Sequence, residues 1–314
     1  MRLVFLDAHT IDPSGDLSWA PLRKCGAELV VHPRTSPDEL REHADGAELL
    51  ITNKVPLDAK SLRALSQLRY VGVIATGFDV VDVSVARELG ITVSNVPSYG
   101  TNAVAQHTFA LLLELTNRVQ DHATTVRNGE WSRSADWCYW RWTLNELAGK
   151  TIGIVGYGRI GQKVGEIAKA FDMHLQFHDW ALRSDGWVSL EQLFKTSDVV
   201  SLHCPLTADT AKMINRGTLS LMKRTAILLN TSRGGLVNDE DLAQALNDSR
   251  IGGAGLDVLP QEPPSEDQPL LQAKNCIITP HVAWAARESR QRLLGLTAAN
   301  IAAYLAGKPM NVVS

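Results

Sequence analysis

Cysteine is scarce in this sequence, and the absences around it exclude several classes of protein. Only four of the 314 residues are cysteine, and no two of them form a CxxC pair. Disulfide-stapled secreted domains and thiolate zinc sites need clustered cysteines, so we expect reduced thiols in a cytoplasmic protein. His, Cys and acidic residues show no familiar metal-ligand spacing, and we therefore expect no bound metal.

A surplus of basic charge and a long apolar run are also absent. The formal net charge is −3, which leaves no excess of positive charge to neutralise a nucleic-acid backbone or an anionic membrane. No segment approaches the uncharged apolar run of a membrane span. Residues 1–7 lack the plan of a signal peptide, a charged start followed by an apolar stretch. The sequence therefore predicts partners that include neither nucleic acid nor membrane.

The sequence does contain a regular alternation of strand-like and helix-like segments. Apolar residues make up 45% and charged residues 21% of the chain, the balance of a globular protein, and the length suits two domains. Short runs rich in Val, Ile and Leu occur at 3–6, 28–31, 49–52, 70–75 and 92–95, and again at 151–155, 175–178, 199–203, 227–230, 254–258 and 277–279. Helical patterns separate them, which predicts an α/β protein with two doubly wound parallel-sheet domains. Periodicity alone does not decide which domain holds the last helix, at about 286–306.

A glycine-rich turn follows the first strand of the second group. Gly156, Gly158 and Gly161 match the GxGxxG pattern between a buried strand and a helix, the context in which this pattern indicates a dinucleotide site. The first glycine permits the tight turn, the second lets the backbone approach a pyrophosphate, and the third lets helix and strand pack closely. Arg159 and Ile160 open the helix whose amide groups would hold the pyrophosphate. A glycine-rich turn without a ligand is the alternative.

An acidic residue ends the next strand. Asp179 follows the run 175–178, where a carboxylate can accept hydrogen bonds from the ribose hydroxyls and repel a 2′-phosphate. We therefore expect NAD rather than NADP as the cofactor. Arg183, four residues further on, is either a phosphate contact or a solvated surface arginine.

Three polar residues follow later strands of the same predicted sheet, at the edge where ligands bind. Arg233 follows the run 227–230, Glu262 lies shortly after 254–258, and His281 ends the segment Ile-Ile-Thr-Pro-His. A guanidinium can hold a carboxylate through two hydrogen bonds, and a histidine beside a carboxylate can donate a proton near neutral pH. Each alone has an ordinary interpretation: a surface arginine, a loop glutamate, a hydrogen-bonded histidine. Together, beside a dinucleotide site, they predict hydride transfer to a carbonyl substrate.

Six long segments, in order from about residue 71 to residue 293, carry a resemblance to a known family. They are GVIATGFDVVDVSVARELGITVSNVPSYGTNAVAQHTFALLLEL, ELAGKTIGIVGYGRIGQKV, DVVSLHCPLTADT, LLNTSRGGLVNDEDL, GAGLDVLPQEPP and ITPHVAWAARESRQRL. The chain resembles the D-isomer-specific 2-hydroxyacid dehydrogenases, and most closely their glycerate dehydrogenase (hydroxypyruvate reductase) branch. The first fifty residues are less distinctive.

The resemblance implies a role for each candidate residue. Arg233 would bind the substrate carboxylate and keto oxygen, His281 would be the acid–base, and Glu262 would pair with it. Further cofactor contacts are implied for Cys204, Pro205, Thr231, Ser232 and Asp257, and further substrate contacts for Lys54, Val55, Thr76, Gly77 and Trp284. A turn-capping Asp257, a solvated Lys54 and a core Trp284 are the alternatives.

The resemblance also implies the layout and the reaction. A flavodoxin-like substrate-binding domain would span 1–99 and be completed by a C-terminal helix within 285–314, and a Rossmann NAD-binding domain would span 100–284. The reaction would interconvert hydroxypyruvate or glyoxylate with D-glycerate or glycolate. A D-lactate-type or other 2-keto acid reductase and a non-catalytic NAD(H)-sensing module are the alternatives.

Four tryptophans crowd one short stretch of the sequence. Trp131, Trp137, Trp140 and Trp142 would form an unfavourable apolar surface if all were exposed to water. In the resembled family this region forms an arm that embraces a second subunit, so the resemblance implies a homodimer. Packing of the stretch into the core of a single chain is the alternative.

Overall fold

The structure, a computed structural model, describes all 314 residues. Its first sheet contains five parallel strands. Its strands and the helices between them are β1 (Arg2–Phe5), α1 (Ala20–Arg23), β2 (Glu28–Val31), α2 (Leu40–His43), β3 (Leu49–Thr52), α3 (Ala59–Ala64), β4 (Tyr70–Val73), α4 (Val83–Glu88) and β5 (Thr92–Ser94). The strand order is β2-β1-β3-β4-β5. β3 and β4 are buried along their whole length, as expected for strands covered on both faces.

The second sheet contains six parallel strands in the order β11-β10-β9-β8-β6-β7. Its elements are α5 (Thr101–Asn117), α6 (Val119–Arg127), β6 (Thr151–Val155), α7 (Arg159–Ala170), β7 (His174–His178), α8 (Leu190–Thr196), β8 (Val199–Leu202), α9 (Arg216–Leu221), β9 (Ile227–Asn230), α10 (Asp239–Asn247), β10 (Gly253–Leu256) and β11 (Cys276–Ile278). Because β7 and β8 lie on opposite sides of β6, the strand order reverses at this point, and ligands bind at the carboxyl edge beside such a reversal. The predicted fold class is confirmed.

The last helix, α11 (Arg287–Leu305), packs with the first sheet. Leu293, Leu294 and Ile301 are fully buried in the apolar cluster that also contains side chains of β1 and β3. Arg290 donates two hydrogen bonds of 2.9 Å to the Asp16 carboxylate. The chain therefore divides into one unit of residues 1–100 and 284–314 and another of residues 101–283.

Trp284 lies on the other side of the boundary from where the sequence placed it. The predicted dinucleotide-binding domain, 100–284, included Trp284, whereas the structure assigns it to the first unit. The reason is packing: its ring meets Tyr99 edge-on, with centroids 6.4 Å apart, and lies against the apolar cluster of that unit. Gly100 likewise belongs to the first unit. The functions of the two units remain predictions.

Three features bear on membranes, metals and redox chemistry. None of the helices combines the length and the apolar character needed to cross a lipid bilayer. No three His, Cys, Asp or Glu side chains come together where they could hold a metal ion. The four cysteines are all unpaired, and two of them, Cys25 and Cys204, are buried.

Candidate active site

The glycine-rich turn between β6 and α7 contains two glycines that the chain's own packing requires. Gly156 has a φ of +89°, and a Cβ added there would lie 2.6 Å from the backbone nitrogen of Cys204. A Cβ on Gly161 would lie 2.2 Å from the carbonyl oxygen of Gly156. Side chains at either position would push the turn away from the loop after β8 or from α7, so these glycines hold the crevice in shape.

Gly158 differs, because nothing in the protein requires it to be a glycine. It is the exposed N-cap residue of α7, and a Cβ added there would meet no atom within 4 Å. The space beside this backbone is open at the positive end of a 12-residue helix, where amide groups and the helix dipole favour an anion. The residues present therefore fit the pyrophosphate of a dinucleotide, with Arg159 and Ile160 in the first helical turn.

Asp179, directly after β7, is held as an anion near this turn. Burial raises the pKa of its carboxyl group, but backbone N–H groups of Leu182, Ala181 and Tyr157 more than offset this and bring the pKa below its ordinary value. The Tyr157 amide donates to it over 2.8 Å, which ties the end of β7 to the glycine-rich turn. Arg183 instead stacks on the Trp187 ring, with its guanidinium carbon 4.7 Å from the ring centroid.

The loop after β8 contributes backbone rather than side-chain chemistry. The Cys204 thiol is buried in the core, and this burial raises its pKa to about 11. Its carbonyl oxygen accepts a 2.7 Å hydrogen bond from the Ser232 hydroxyl. The Pro205 carbonyl accepts another from Thr210. Any cofactor contact of Cys204 is therefore made by its main chain.

Arg233 lies in a rigid loop after β9. The Asn230 side chain closes the loop by donating to the Arg233 carbonyl over 2.9 Å and accepting from the Ser232 amide over 3.0 Å. At Gly234 a Cβ would lie 1.9 Å from the carbonyl carbon of Leu259. This glycine therefore lets the arginine loop pack directly on the loop that follows β10 and leads to the predicted glutamate.

Glu262 and His281 form a hydrogen-bonded pair, the partnership that the resemblance implied. His281 Nδ1 lies 2.7 Å from Glu262 Oε2, and Glu262 Oε1 accepts a 3.1 Å hydrogen bond from the Leu259 amide. A carboxylate only accepts hydrogen bonds, so Nδ1 carries the proton and Nε2 is the ring atom suited to acid–base chemistry. Both side chains are about one-third exposed.

Asp257, at the end of β10, is only 1% exposed and serves the loop that bears His281. Its carboxylate accepts hydrogen bonds from the amides of Val282 and Ala283, over 2.9 and 2.8 Å, and from the Thr279 hydroxyl, over 2.6 Å. Its carbonyl oxygen accepts from the His281 amide. The residue thus does more than cap a turn. The cofactor contact that the resemblance implies for Asp257 remains a prediction.

The predicted substrate residues of the first unit lie at the carboxyl ends of neighbouring strands. Lys54 and Val55 follow β3, and Thr76 and Gly77 follow β4. Lys54 is exposed, whereas the Val55 side chain is buried in the core, so only its backbone can meet a ligand. The Thr76 carbonyl is held by the Asn95 side chain over 2.7 Å.

Sequence reasoning missed Asp7, which positions the loop after β3. Its buried carboxylate accepts hydrogen bonds from the amides of Asn53 and Lys54, over 2.9 and 2.6 Å. Burial raises the pKa of Asp7 above its ordinary value, although these amides oppose the shift. Its signal was an acidic residue directly after the first strand. His107 and Thr279, which contact each other beside Asp257, were also missed.

The structure therefore groups the candidates on two sheet edges, one in each unit. The carboxyl edge of the second sheet holds the glycine-rich turn, Asp179, the 231–233 loop, Asp257, Glu262 and His281. The corresponding edge of the first sheet holds the loops at 54–55 and 76–77. Trp284 lies in the first unit, beside Tyr99.

The chain is similar to known proteins over most or all of its length. Residues 109–283 match the family model described as D-isomer specific 2-hydroxyacid dehydrogenase, NAD binding domain. A hydroxypyruvate reductase from Blautia hydrogenotrophica is 44% identical, with all of both chains aligned. A glycerate dehydrogenase from Methylorubrum extorquens is 45% identical over 99% of this chain and 98% of its own. The crystal structure of the TT0316 protein from Thermus thermophilus superposes with a TM-score of 0.89 at 38% identity, covering all of both chains.

Proposed function

The chain belongs to the D-isomer specific 2-hydroxyacid dehydrogenase family, and we propose that it reduces hydroxypyruvate or glyoxylate, giving D-glycerate or glycolate. It is an NAD-dependent oxidoreductase that interconverts 2-keto and 2-hydroxy acids. The finer assignment of substrate rests on relatives named hydroxypyruvate reductase and glycerate dehydrogenase that match the chain from end to end. The roles of individual residues are part of the proposal.

The observation that carries the proposed mechanism is the 2.7 Å contact between His281 Nδ1 and Glu262 Oε2. The negative charge of Glu262 stabilises a protonated imidazole, and the fixed Nδ1 proton turns Nε2 towards the reaction. His281 then donates its Nε2 proton to the keto oxygen of the substrate and becomes neutral. In the reverse direction the neutral ring accepts that proton.

Arg233 binds the substrate through its carboxylate. A guanidinium matches a carboxylate with two parallel hydrogen bonds, and the main chain of the arginine loop is already rigid. Positive charge beside the keto oxygen also stabilises the negative charge that develops there during reduction. In the first unit, the residues proposed for substrate contacts are the backbone of the 54–55 and 76–77 loops and the ring of Trp284.

The cofactor is held by the glycine-rich turn and its surroundings. The α7 N-terminus with Gly156, Gly158, Arg159, Ile160 and Gly161 binds the pyrophosphate, Asp179 the ribose, Cys204 and Pro205 the adenosine side, and Thr231, Ser232 and Asp257 the nicotinamide side. When bound, NADH supplies the hydride for the keto carbon. The anionic Asp179 repels a 2′-phosphate, and the guanidinium of Arg183 lies against Trp187, so NAD is preferred to NADP.

The test is NADH oxidation by the purified protein with hydroxypyruvate, glyoxylate, pyruvate and larger 2-keto acids, repeated with NADPH. We expect the highest kcat/KM with hydroxypyruvate or glyoxylate and NADH. A preference for pyruvate would replace the substrate assignment with a D-lactate-type reductase. NADH binding, measured by fluorescence, without turnover of any keto acid would replace it with an NAD(H)-sensing module.

The same proposal includes a homodimer that covers the tryptophan arm, residues 131–142. Trp137 is 86% exposed and Trp140 is 68% exposed, so the arm does not pack into the core of its own chain. Trp131 donates to the Trp137 carbonyl and Glu130 pairs with Arg141, which gives the exposed rings a defined arrangement. An apolar surface of this kind is unfavourable in water and is typical of an interface.

Light scattering of Trp137→Ser/Trp140→Ser tests the dimer. We expect the unchanged protein to have twice the mass of one chain and the double variant to shift towards one chain. Trp187→Phe, a tryptophan change outside the arm, is the control and leaves the mass unchanged. A monomeric wild-type protein at all concentrations would contradict the proposal.

We also propose that the protein works in the cytoplasm. Its four cysteines are unpaired, which is typical of a reducing compartment. Thiol titration of protein unfolded without reductant should find four thiols per chain. Fewer would mean disulfides between chains or a different compartment.

A further inference from the structure

Behind the loop that bears His281 lies a chain of side-chain hydrogen bonds that the proposed roles leave unexplained. His107, on α5, has its Nε2 2.9 Å from the Thr279 hydroxyl. That hydroxyl donates to Asp257 Oδ1 over 2.6 Å, so it accepts from the imidazole, whose Nε2 therefore carries a proton. The same Nε2 is 3.5 Å from Asp257 Oδ1. The three side chains form one directed chain, from imidazole to hydroxyl to carboxylate.

Asp257, at the end of this hydrogen-bond network, holds the backbone at and after the acid–base histidine. Its carboxylate accepts from the amides of Val282 and Ala283, and its backbone carbonyl accepts from the amide of His281. His281 itself has a φ of +55°, a left-handed backbone conformation that residues other than glycine seldom adopt. Such a conformation persists only where surrounding contacts impose it. The hydrogen bonds of Asp257 are contacts of that kind.

The other end of this hydrogen-bond network is His107, whose helix, α5, packs closely against the second sheet. This helix lies so close to β10 that a Cβ on Gly255 would be 3.0 Å from the Leu111 Cβ. The residue after His107, Thr108, also reaches a strand end, with its hydroxyl 3.0 Å from that of Thr231. Two neighbouring residues of α5 therefore contact the segments directly after β11 and β9, where the proposed nicotinamide side of the site is built.

We propose that His107 and Thr279 are positioning residues for the reaction. They orient the Asp257 carboxylate, and through it they hold the amides of Val282 and Ala283, so that the His281 ring stays against Glu262. Neither side chain transfers a proton to the substrate. This inference rests on the proposed acid–base role of His281.

Four variants and a double variant test the chain of hydrogen bonds. Thr279→Val keeps the shape but removes the hydroxyl, and we expect kcat to fall about 10- to 100-fold with KM changed much less, as for a misplaced catalytic group. Thr279→Ser restores the hydroxyl and should restore most of kcat. His107→Leu should reduce kcat, and His107→Gln, which keeps an N–H donor, should recover part of it. Because both residues act through one chain, combining His107→Leu with Thr279→Val should be no worse than Thr279→Val alone.

Gln106→Leu is the matched control, since Gln106 is the exposed neighbour of His107 on the same helix. It should leave kcat, KM and Tm unchanged. Histidine side-chain NMR on ¹⁵N-labelled protein adds a readout that needs no turnover: the Nδ1 proton of His281, assigned with His281→Ala, should shift or broaden in Thr279→Val while NADH affinity is retained.

Two results would overturn the inference. One is an unchanged kcat and an unchanged His281 Nδ1 signal in Thr279→Val. The other is strictly additive losses in the double variant. Either would leave the proposed function intact if His281→Ala remains inactive, whereas a fully active His281→Ala would instead overturn the acid–base assignment.

Discussion

At the scale of single residues, the chemistry depends on which atoms of a side chain are already engaged. Glu262 uses one oxygen to fix its own loop, through the Leu259 amide, and the other to fix the proton of His281 Nδ1. Cys204 has a thiol that burial keeps protonated, and it contributes only its carbonyl. The role of each of these residues therefore depends on its hydrogen-bond partners and its burial as well as on its residue type.

Removing the proton donor is the most direct test at this scale. His281→Ala should reduce kcat for keto-acid reduction by about 10²–10⁴-fold, the usual contribution of a general acid, with NADH affinity unchanged. His281 has a positive φ, a conformation that histidine and asparagine adopt more often than alanine does, so alanine there adds some backbone strain. His281→Asn avoids most of that strain, since asparagine tolerates this conformation. A loss below tenfold in His281→Asn would contradict the assignment.

Replacing Glu262 by glutamine should move the pH profile. Glu262→Gln keeps the size of the side chain but removes the negative charge that favours the protonated ring. Reduction needs that protonated ring, so activity should begin to decline at lower pH than in the unchanged protein. Steady-state kcat against pH, with hydroxypyruvate as substrate, measures the displacement. Identical profiles would show that the pair is not coupled.

At the scale of elements, the site is built from strand ends and the loops that leave them. The loops after β9 and β10 meet at Gly234, and the turn after β6 meets the loop after β8 at Gly156. A side chain at either glycine would overlap main-chain atoms of the facing loop. The overlap would push apart two loops that lie in contact in the structure. Glycine at these positions therefore serves the packing of loop on loop, while Gly158 faces open space.

Two alanine substitutions at the start of α7, one at its N-cap and one in its first turn, should separate packing from ligand binding. Gly158→Ala meets no protein atom, and losing glycine at an N-cap costs at most about 1 kcal/mol, so Tm should change little while NADH binds at least about tenfold more weakly. Gly161→Ala collides with the Gly156 carbonyl and should destabilise the fold by about 1–3 kcal/mol. Thermal unfolding and NADH fluorescence titration measure both. Unaltered NADH affinity in Gly158→Ala would place the pyrophosphate elsewhere.

At the scale of the whole molecule, the first unit is assembled from the two ends of the chain. α11 adds Leu293, Leu294 and Ile301 to the core beside β1 and β3, and Val313 joins β5 through its amide. Burial of each large apolar side chain stabilises by about 1.5–3 kcal/mol. This is a large share of a typical folding free energy of about 5–15 kcal/mol. We therefore expect that residues 1–100 do not fold stably without α11.

A matched pair of substitutions in α11 tests this dependence. Leu294 is fully buried and Leu296 is 40% exposed. Leu294→Ala should lower the free energy of unfolding by about 2–5 kcal/mol, whereas Leu296→Ala should change it by less than about 0.5 kcal/mol. Hydrogen exchange should accelerate in β1 to β5 of Leu294→Ala and not in β6 to β11. Faster exchange only in the second sheet would contradict the assignment of α11.

Local pattern was enough to predict the strands and the candidate site residues. Short runs rich in Val, Ile and Leu marked all eleven strands, and the spacing of Gly156, Gly158, Gly161 and Asp179 predicted a cofactor site at that turn. The position of Arg233, Glu262 and His281 along one sheet edge was predictable because the carboxyl ends of parallel strands share one edge. The resemblance implied that the last helix returns to the first unit, although periodicity did not. Contacts between distant segments decided the rest: that Trp284 lies against Tyr99 in the first unit, that the tryptophan arm stays outside the core, and that Asp7 and His107 support loops far along the chain. No periodicity encodes such contacts, because a helix face or a buried carboxylate carries no sign of the segment it will meet.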